Sequence, residues 1–425
     1  MSSTVPPVPT NKSAKSKKAK NDRKRHNGLE SSPLMVLDRP ADIAAAISED
    51  RISIEDMTYI GSYSWVDSTE PTIVVPGSPA VWHDRRTPYT VPPDRVTFMY
   101  EDAYRMPQYP NLARMRAIDI MTAEKGIQVD WPSVDFITDR NALRKLLKWA
   151  GDTSGKDFRI DLELAGERTV FLNRWEAKTR NRLGPQEQSY GFAFEKASTH
   201  PAPDCQGTTG HHRISSYGFG GLRMIVSYEV DACIAAETTS TGPHANAGNA
   251  RRRAPKSAPA SSPRPPVSPP NNAGPSTSAG SHKGLKTLQI VRGGKEVSQR
   301  SLIELKSSST ISWMDVYPQL YFGQIPYLYQ GLHLRGRFTR ITKRALSEED
   351  ITRRDSALEA KFCKVRNALR TIQALVIQHG HQTRLSLVYE SNQGRRLEVY
   401  KRVSKASCLP QEILQRFEIK WAKPV

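Results

Sequence analysis

Cysteine is scarce in this chain. Its 425 residues hold four, Cys205, Cys233, Cys363 and Cys408, with no Cys-x-x-Cys pair and no Cys/His zinc spacing. That usage fits a reduced intracellular protein and leaves no zinc module to read. No apolar run approaches the length of a membrane span, so no membrane partner is expected. The N-terminus is polar and Pro/Lys-rich, without the apolar region of a signal peptide. Aspartate-rich DDxxD motifs, which a prenyl-diphosphate synthase needs, are absent, and Glu348-Glu349-Asp350 is only a short acidic run. The glycine-rich stretch Gly218-Phe219-Gly220-Gly221 leads into a strand, which denies it a dinucleotide-binding context and makes it a tight turn. His211 and His212 are adjacent, so on a strand they point apart and make a poor zinc pair. A structural or surface role is expected for them, with one as a candidate lining of a substrate channel.

Acid is also scarce relative to base: 43 Asp and Glu against 62 Lys and Arg give a formal charge of +19. Such an excess points to a polyanionic partner, but its distribution matters more than its total. Residues 11–26 carry a net +7 and residues 238–284 a net +6, so the remainder is only mildly basic. The cluster Lys17-Lys18-Ala19-Lys20 through Arg23-Lys24-Arg25 reads equally well as a nuclear address and as a solubilising or loosely RNA-binding tail. The first reading makes the nucleus the expected location, with the cytoplasm as an alternative. Residues 1–35 are low in apolar content and are expected to be a disordered basic tail. Residues 238–284, with nine prolines and no acid, read as a disordered Pro/Ser/Arg-rich insertion. Loop closure costs rise slowly with length, so one folded domain spanning 52–237 and 285–425 can accommodate it.

The ordered part is expected to begin near Ile52 or Tyr59, followed by a strand at Pro71–Gly77. Asn141–Trp149 has helical apolar spacing through Leu143, Leu146 and Leu147. Phe158, Ile160, Leu162 and Leu164 alternate with polar residues and turn into Thr169–Glu176 as a hairpin. Gly191 to Ser198 starts a helix, Leu222–Ile234 reads as one long strand, and Leu288–Arg292 and Leu302–Lys306 as two more. Trp313–Tyr321 should be helical, and its aromatics, at helical spacing, are better read as core than as base-stacking rings. A long helix over Ser356–His379 turns Leu358, Phe362, Val365, Leu369, Ile372 and Leu375 inward, and a hairpin around Asn392-Gln393-Gly394 closes the chain. The fold class is α+β: a single domain with a mixed central sheet flanked by helices.

Two short acidic strands stand out, Glu229-Val230-Asp231 and Glu304-Leu305-Lys306. Residues two apart on a strand share a face, so as neighbours the two strands would gather three carboxylates and one ammonium. A nuclease needs such a group to hold a divalent cation and prepare water for attack on phosphate.

Further segments follow in order: Arg140-Asn141-Ala142-Leu143-Arg144-Lys145-Leu146-Leu147, then Gly191-Phe192-Ala193-Phe194-Glu195, and finally Gln319 seven residues before Pro326. With the two acidic strands they resemble the DXO family of decapping nucleases, which have a PD-(D/E)XK-type core. The resemblance covers about residues 135 to 335. It implies Glu195, Asp231 and Glu304 as ligands of one or two Mg²⁺ or Mn²⁺ ions, with the Leu305 carbonyl as a backbone ligand. Arg140 is implied as the substrate-phosphate arginine, with Asn141 beside it, and Gln319 as a substrate contact. Glu229 is read as holding an ion-bound water or a substrate group, and Lys306 as orienting the attacking hydroxide and stabilising developing charge. The implied activity is that of a metal-dependent hydrolase of RNA 5′ ends, by decapping, pyrophosphohydrolysis or 5′–3′ exoribonuclease action, with a 5′–3′ exoribonuclease as a protein partner. Two alternatives stay open, a catalytically degenerate binder of RNA or of such an exoribonuclease, and a DNA nuclease of the same core. Asn141 stands where the family usually has Gly, and residues 52–130 do not align with the family's N-terminal substrate contacts.

Overall fold

The protein was analysed as a computed structural model, which describes residues 23–40, 52–151, 153, 155–184, 188–235, 286–347, 350, 356–392, 394 and 396–418. All of these fall in one compact unit, Met1–Ala235 with Lys286–Val425. The insertion expected at 238–284 and the tail up to residue 22 lie outside the described residues.

The α+β class is as expected, and its strands form two mixed sheets and a two-stranded ribbon. The larger sheet has eleven strands. At its centre the short strand Phe136–Asp139 runs parallel to both Leu222–Glu229 and Thr169–Trp175. Its apolar residues face both ways, with Phe136 and Ile137 at 0% exposure in two different core clusters, as a strand covered on both faces requires. The smaller sheet has seven strands and centres on Leu302–Ser307, paired antiparallel with Ala232–Cys233 and parallel with Tyr327–Leu334. The two acidic motifs are therefore neighbours.

The expected long strand Leu222–Ile234 is in fact two strands in two sheets. Leu222–Glu229 belongs to the larger sheet and Ala232–Cys233 to the smaller. Buried Val230 is the pivot between them, packed with Leu302 and Leu328. Asp231 completes the ladder where the short strand ends: its Oδ2 accepts the Leu305 N–H at 2.7 Å.

The long helix Ser356–His379 has the expected bounds, and all six residues read as inward are buried. It packs on the helix Arg140–Ala150, whose Leu143, Leu146 and Leu147 meet it in one core. Each such side chain contributes roughly 1.5–3 kcal/mol by leaving water. The hairpin Thr208–Phe219/Leu222–Glu229 turns on Gly220 and Gly221, both with positive φ, +56° and +79°, which favours glycine at each. The turn reading of that glycine-rich stretch is thus correct.

Ordered structure begins earlier than Ile52. Met35–Leu37 pairs with Leu397–Lys401 at the edge of the larger sheet. Arg25 is buried and ion-paired with Glu390 at 2.7 Å and Asp157 at 3.4 Å. From residue 23 the expected tail is docked, because buried Glu390 and half-buried Asp157, both far away in sequence, hold its arginine. No helix among the described residues is long and apolar enough to cross a membrane.

Candidate active site

The site grows from ends of strands. Strand Phe136–Asp139 runs without a loop into helix Arg140–Ala150, and Asp139 caps that helix by accepting the Ala142 N–H at 2.7 Å. This fixes Arg140 at the strand's C-terminal end, facing the last residue of Leu222–Glu229. Its Nη1 donates to Glu304 Oε2 at 3.0 Å and to the Gln319 carbonyl at 3.1 Å, while Nη2 donates to the Glu229 carbonyl at 3.1 Å. One guanidinium thus ties three motifs together. Lys306 Nζ lies 2.5 Å from Glu304 Oε1.

A cavity of about 250 Å³ opens at this junction. Every residue picked from the sequence lines it: Arg140, Asn141, Glu195, Glu229, Asp231, Glu304, Leu305, Lys306 and Gln319. Glu195 arrives on the helix Gly191–Ser198, and Gln319 on the helix Trp313–Gly323, where its Nε2 donates to the Asp315 carbonyl at 2.9 Å. Asn141 brings a buried Oδ1 with no hydrogen-bond partner among the described residues.

The charges divide sharply. Burial and the neighbouring Asp231 and Glu229 push the Glu195 carboxyl well above the usual range. Burial and Glu304 likewise push Asp231 up to about 7. Burial opposes ionisation of Glu304 too, yet Arg140 and Lys306 hold it down at about 2. On the basic side, burial and the like charge of Arg140 push Arg144 down to about 10. Arg144 sits one turn from Arg140 on the same helix face. Among the described residues it has no carboxylate within ion-pair distance; its Nη2 reaches only the Asp315 carbonyl, at 3.4 Å.

Sequence reasoning gave no role to Arg144, Arg174, Glu101 or Phe98, which also line the cavity. Arg144 was legible as the residue four after Arg140; the others come from distant segments and carried no local signal. Glu101 accepts hydrogen bonds from Thr209 Oγ1 at 2.5 Å and Arg105 Nε at 2.8 Å. The two histidines point apart as expected. His211 is buried with Nδ1 2.9 Å from Ser64 Oγ, and His212 stacks on Tyr63 at 4.9 Å and lines the cavity. The aromatics of Trp313–Gly323 are mostly core: Tyr317, Tyr321 and Phe322 are buried, and Trp313 is exposed.

The donor set can be tested against a divalent cation. Hard cations take oxygen ligands, and Glu195, Asp231, Glu304, Glu229 and the Leu305 carbonyl are all oxygen donors around one cavity. Burial and the neighbouring carboxylates make Glu195 and Asp231 harder to ionise, and a bound cation would reverse that. A cation of that kind fits the set by chemistry. Among the described residues no three His, Cys, Asp or Glu side chains yet converge on one point, since Glu304 faces Arg140 and Lys306.

The architecture is that of solved structures of low sequence identity. The fold matches S. pombe Rai1 with a TM-score of 0.52 at 12% identity, covering 85% of this chain and 98% of that one. It matches Scheffersomyces stipitis Rai1 with a TM-score of 0.52 at 11% identity, covering 89% and 99%. The fold is the one that the motif resemblance implied. It belongs to the family described as "Domain of unknown function (DUF8563)", whose model matches residues 46–418. No curated protein matches the sequence.

Proposed function

We propose that this chain is a metal-dependent hydrolase that cuts phosphodiester or pyrophosphate linkages at the 5′ ends of RNA. The observation that carries this reading is a single cavity lined by the carboxylates of Glu195, Glu229, Asp231 and Glu304 together with a half-buried guanidinium, Arg144, that has no carboxylate partner among the described residues. The first calls for a cation and the second for an anion. A phosphate with its divalent ion satisfies both.

Glu195, Asp231, Glu304 and the Leu305 carbonyl would hold Mg²⁺ or Mn²⁺, which when bound neutralises phosphate charge and lowers the pKa of water. Arg144 and Arg174 brace non-bridging phosphate oxygens. Arg140 would do so only in part, because its donors already fix Glu304, Gln319 and Glu229. Its main role is to position the motifs. Lys306 carries an ammonium to the place where negative charge develops. Glu229, exposed at the cavity, accepts from a water or a ribose hydroxyl, and Asn141 and Gln319 offer amide groups to the substrate. S. pombe Rai1 in complex with 3′-FADP and S. stipitis Rai1 in complex with (3′-NADP)⁺ and a calcium ion support a nucleotide and a divalent cation as occupants of this fold.

A second reading has its own support. Glu304 is already neutralised by Lys306 and Arg140, as in a site that binds RNA without cutting it. One experiment separates the two: purified full chain is incubated with Mn²⁺ and capped, triphosphorylated or monophosphorylated RNA, with DNA of the same sequence alongside. Release of an end group or of mononucleotides from at least one RNA, lost in Glu304→Gln, is expected. RNA retained but left intact establishes the binder, and cleavage confined to DNA moves the substrate class.

A further inference from the structure

We infer that Phe192 is a base-stacking platform that holds the nucleobase next to the reacting phosphate, with Phe98 as the second ring of the same slot. The inference rests on the nucleic-acid reading above and names how the cavity holds more of its substrate than phosphate.

The 250 Å³ cavity is not closed on its far side. A second cavity of about 740 Å³ shares Phe98, Phe192, Glu195, Thr209, Glu229 and Asp231 with it. The carboxylate cluster therefore lies where two chambers meet. The smaller chamber carries Arg140, Arg144, Arg174 and Lys306, while the larger exposes more apolar lining with Arg180, Lys196 and His200 at its wall. A chain of alternating phosphates and bases needs such a pair of chambers, and the junction is where a base must pass the carboxylates.

The two phenylalanines of Gly191-Phe192-Ala193-Phe194-Glu195 separate cleanly. Phe194 is core, 1% exposed and stacked on Phe338 at 4.6 Å. Phe192 is 38% exposed and lines both chambers. Among the described residues no ring or cation stacks on it. Phe192 and Glu195 are three residues apart and share a helix face, with about 4.5 Å of rise between them. That is the reach of one ribose between a phosphate and its base. The helix N-terminus is not competing for the phosphate, because Asp94 already accepts the Phe192 N–H at 3.3 Å and the Ala193 N–H at 2.8 Å. What this helix offers a ligand is a ring and a carboxylate.

Phe98 is half-buried at the end of the strand Val96–Phe98, and its ring is fixed by neighbours. The Arg105 and Arg180 guanidiniums lie 5.5 Å from its centroid and Tyr104 lies 5.4 Å away. A fixed ring on one segment and an open ring on another suit one flat, uncharged guest. Aromatic stacking of this kind accepts any base, because each has a π-face.

The test uses the full chain and 5′-phosphorylated pentaribonucleotides carrying 2-aminopurine as the first or the second base, in Ca²⁺ to slow turnover. Quenching of the fluorescent base on binding is expected at one of the two positions. Phe192→Leu should abolish the quench and weaken binding about tenfold, and Phe192→Trp should restore both. Phe192 is exposed, so these variants should keep the wild-type melting transition. If Phe192→Leu binds and quenches as wild type does, the stacking role is overturned while the function proposed above stands. If wild type binds no pentaribonucleotide, both readings fall together.

Discussion

The cavity contains two crowds of like charge that are handled in opposite ways. The carboxylates of Glu195, Asp231 and Glu304 are crowded until burial and mutual repulsion raise the proton affinity of the first two, and among the described residues only Glu304 forms ion pairs with cations of the chain. The guanidiniums of Arg140 and Arg144 are crowded on one helix, and only Arg140 receives a compensating anion. In each crowd one member is locked to the other crowd and the rest are left short of partners. The Arg140–Glu304 pair builds the site; what surrounds it is shaped for a ligand that brings charge of both signs.

The comparison breaks most visibly at Glu304. Glu304→Ala leaves buried Arg140 and half-buried Lys306 without their carboxylate, and chemical denaturation should show a loss of about 3 kcal/mol. Glu304→Gln keeps a hydrogen-bond acceptor and should lose less stability while losing hydrolysis altogether.

The two arginines sharpen it next. Arg140→Met leaves buried Glu304 with Lys306 alone and removes the bonds to two carbonyls, and should cost about 3 kcal/mol. Arg144→Met removes a guanidinium with no ion partner and should leave stability within about 1 kcal/mol of wild type, or raise it. Its effect should fall on RNA affinity instead, with the slope of log affinity against log salt shallower by about 1. Equal destabilisation by both would erase the distinction.

A buried neighbour sets the pH limit of the wall. Burial, with Arg213 and His212, depresses the proton affinity of His211 in the folded protein. The unfolded chain takes up that proton near pH 6.5 and the folded chain does not. His211 thus contributes fully above about pH 6.5, and stability should fall by roughly 1 kcal/mol per pH unit below it. His211→Asn should show a flatter acid limb in denaturation measured from pH 7 to pH 5.

The smallest effect is expected at Asp231. Asp231→Asn keeps an acceptor for the Leu305 N–H and relieves crowding of Glu195. Without added ions the variant should be more stable by about 1 kcal/mol, a gain visible in its melting temperature and accompanied by lost activity.

Much of this was legible in the residues, and the failures have physical causes. The helix Ser356–His379 was plain because one face of it is buried along its length, which imposes helical period on the sequence. The site residues were legible because their types and order formed a motif pattern, with strong local periodicity in the segments around them. The break at Val230 was not, because a buried pivot between two sheets looks like one more apolar position in a strand. The docking of residues 23–37 was hidden for a related reason. Its anchors, Asp157 and Glu390, are ordinary acids until the fold brings them to Arg25. Phe98 carried no local sign of the chamber it shares with Phe192, since only the fold brings the two together.

Calorimetric titration of Mn²⁺ into the full chain, beside Asp231→Asn and Glu195→Gln, asks directly whether the carboxylate cluster takes a divalent cation. Saturable binding by wild type, accompanied by proton release to the buffer and weakened by about tenfold or more in each variant, is expected. Wild-type protein that takes up no Mn²⁺, or variants that bind it as tightly as wild type, would contradict a metal-dependent site at Glu195, Asp231 and Glu304.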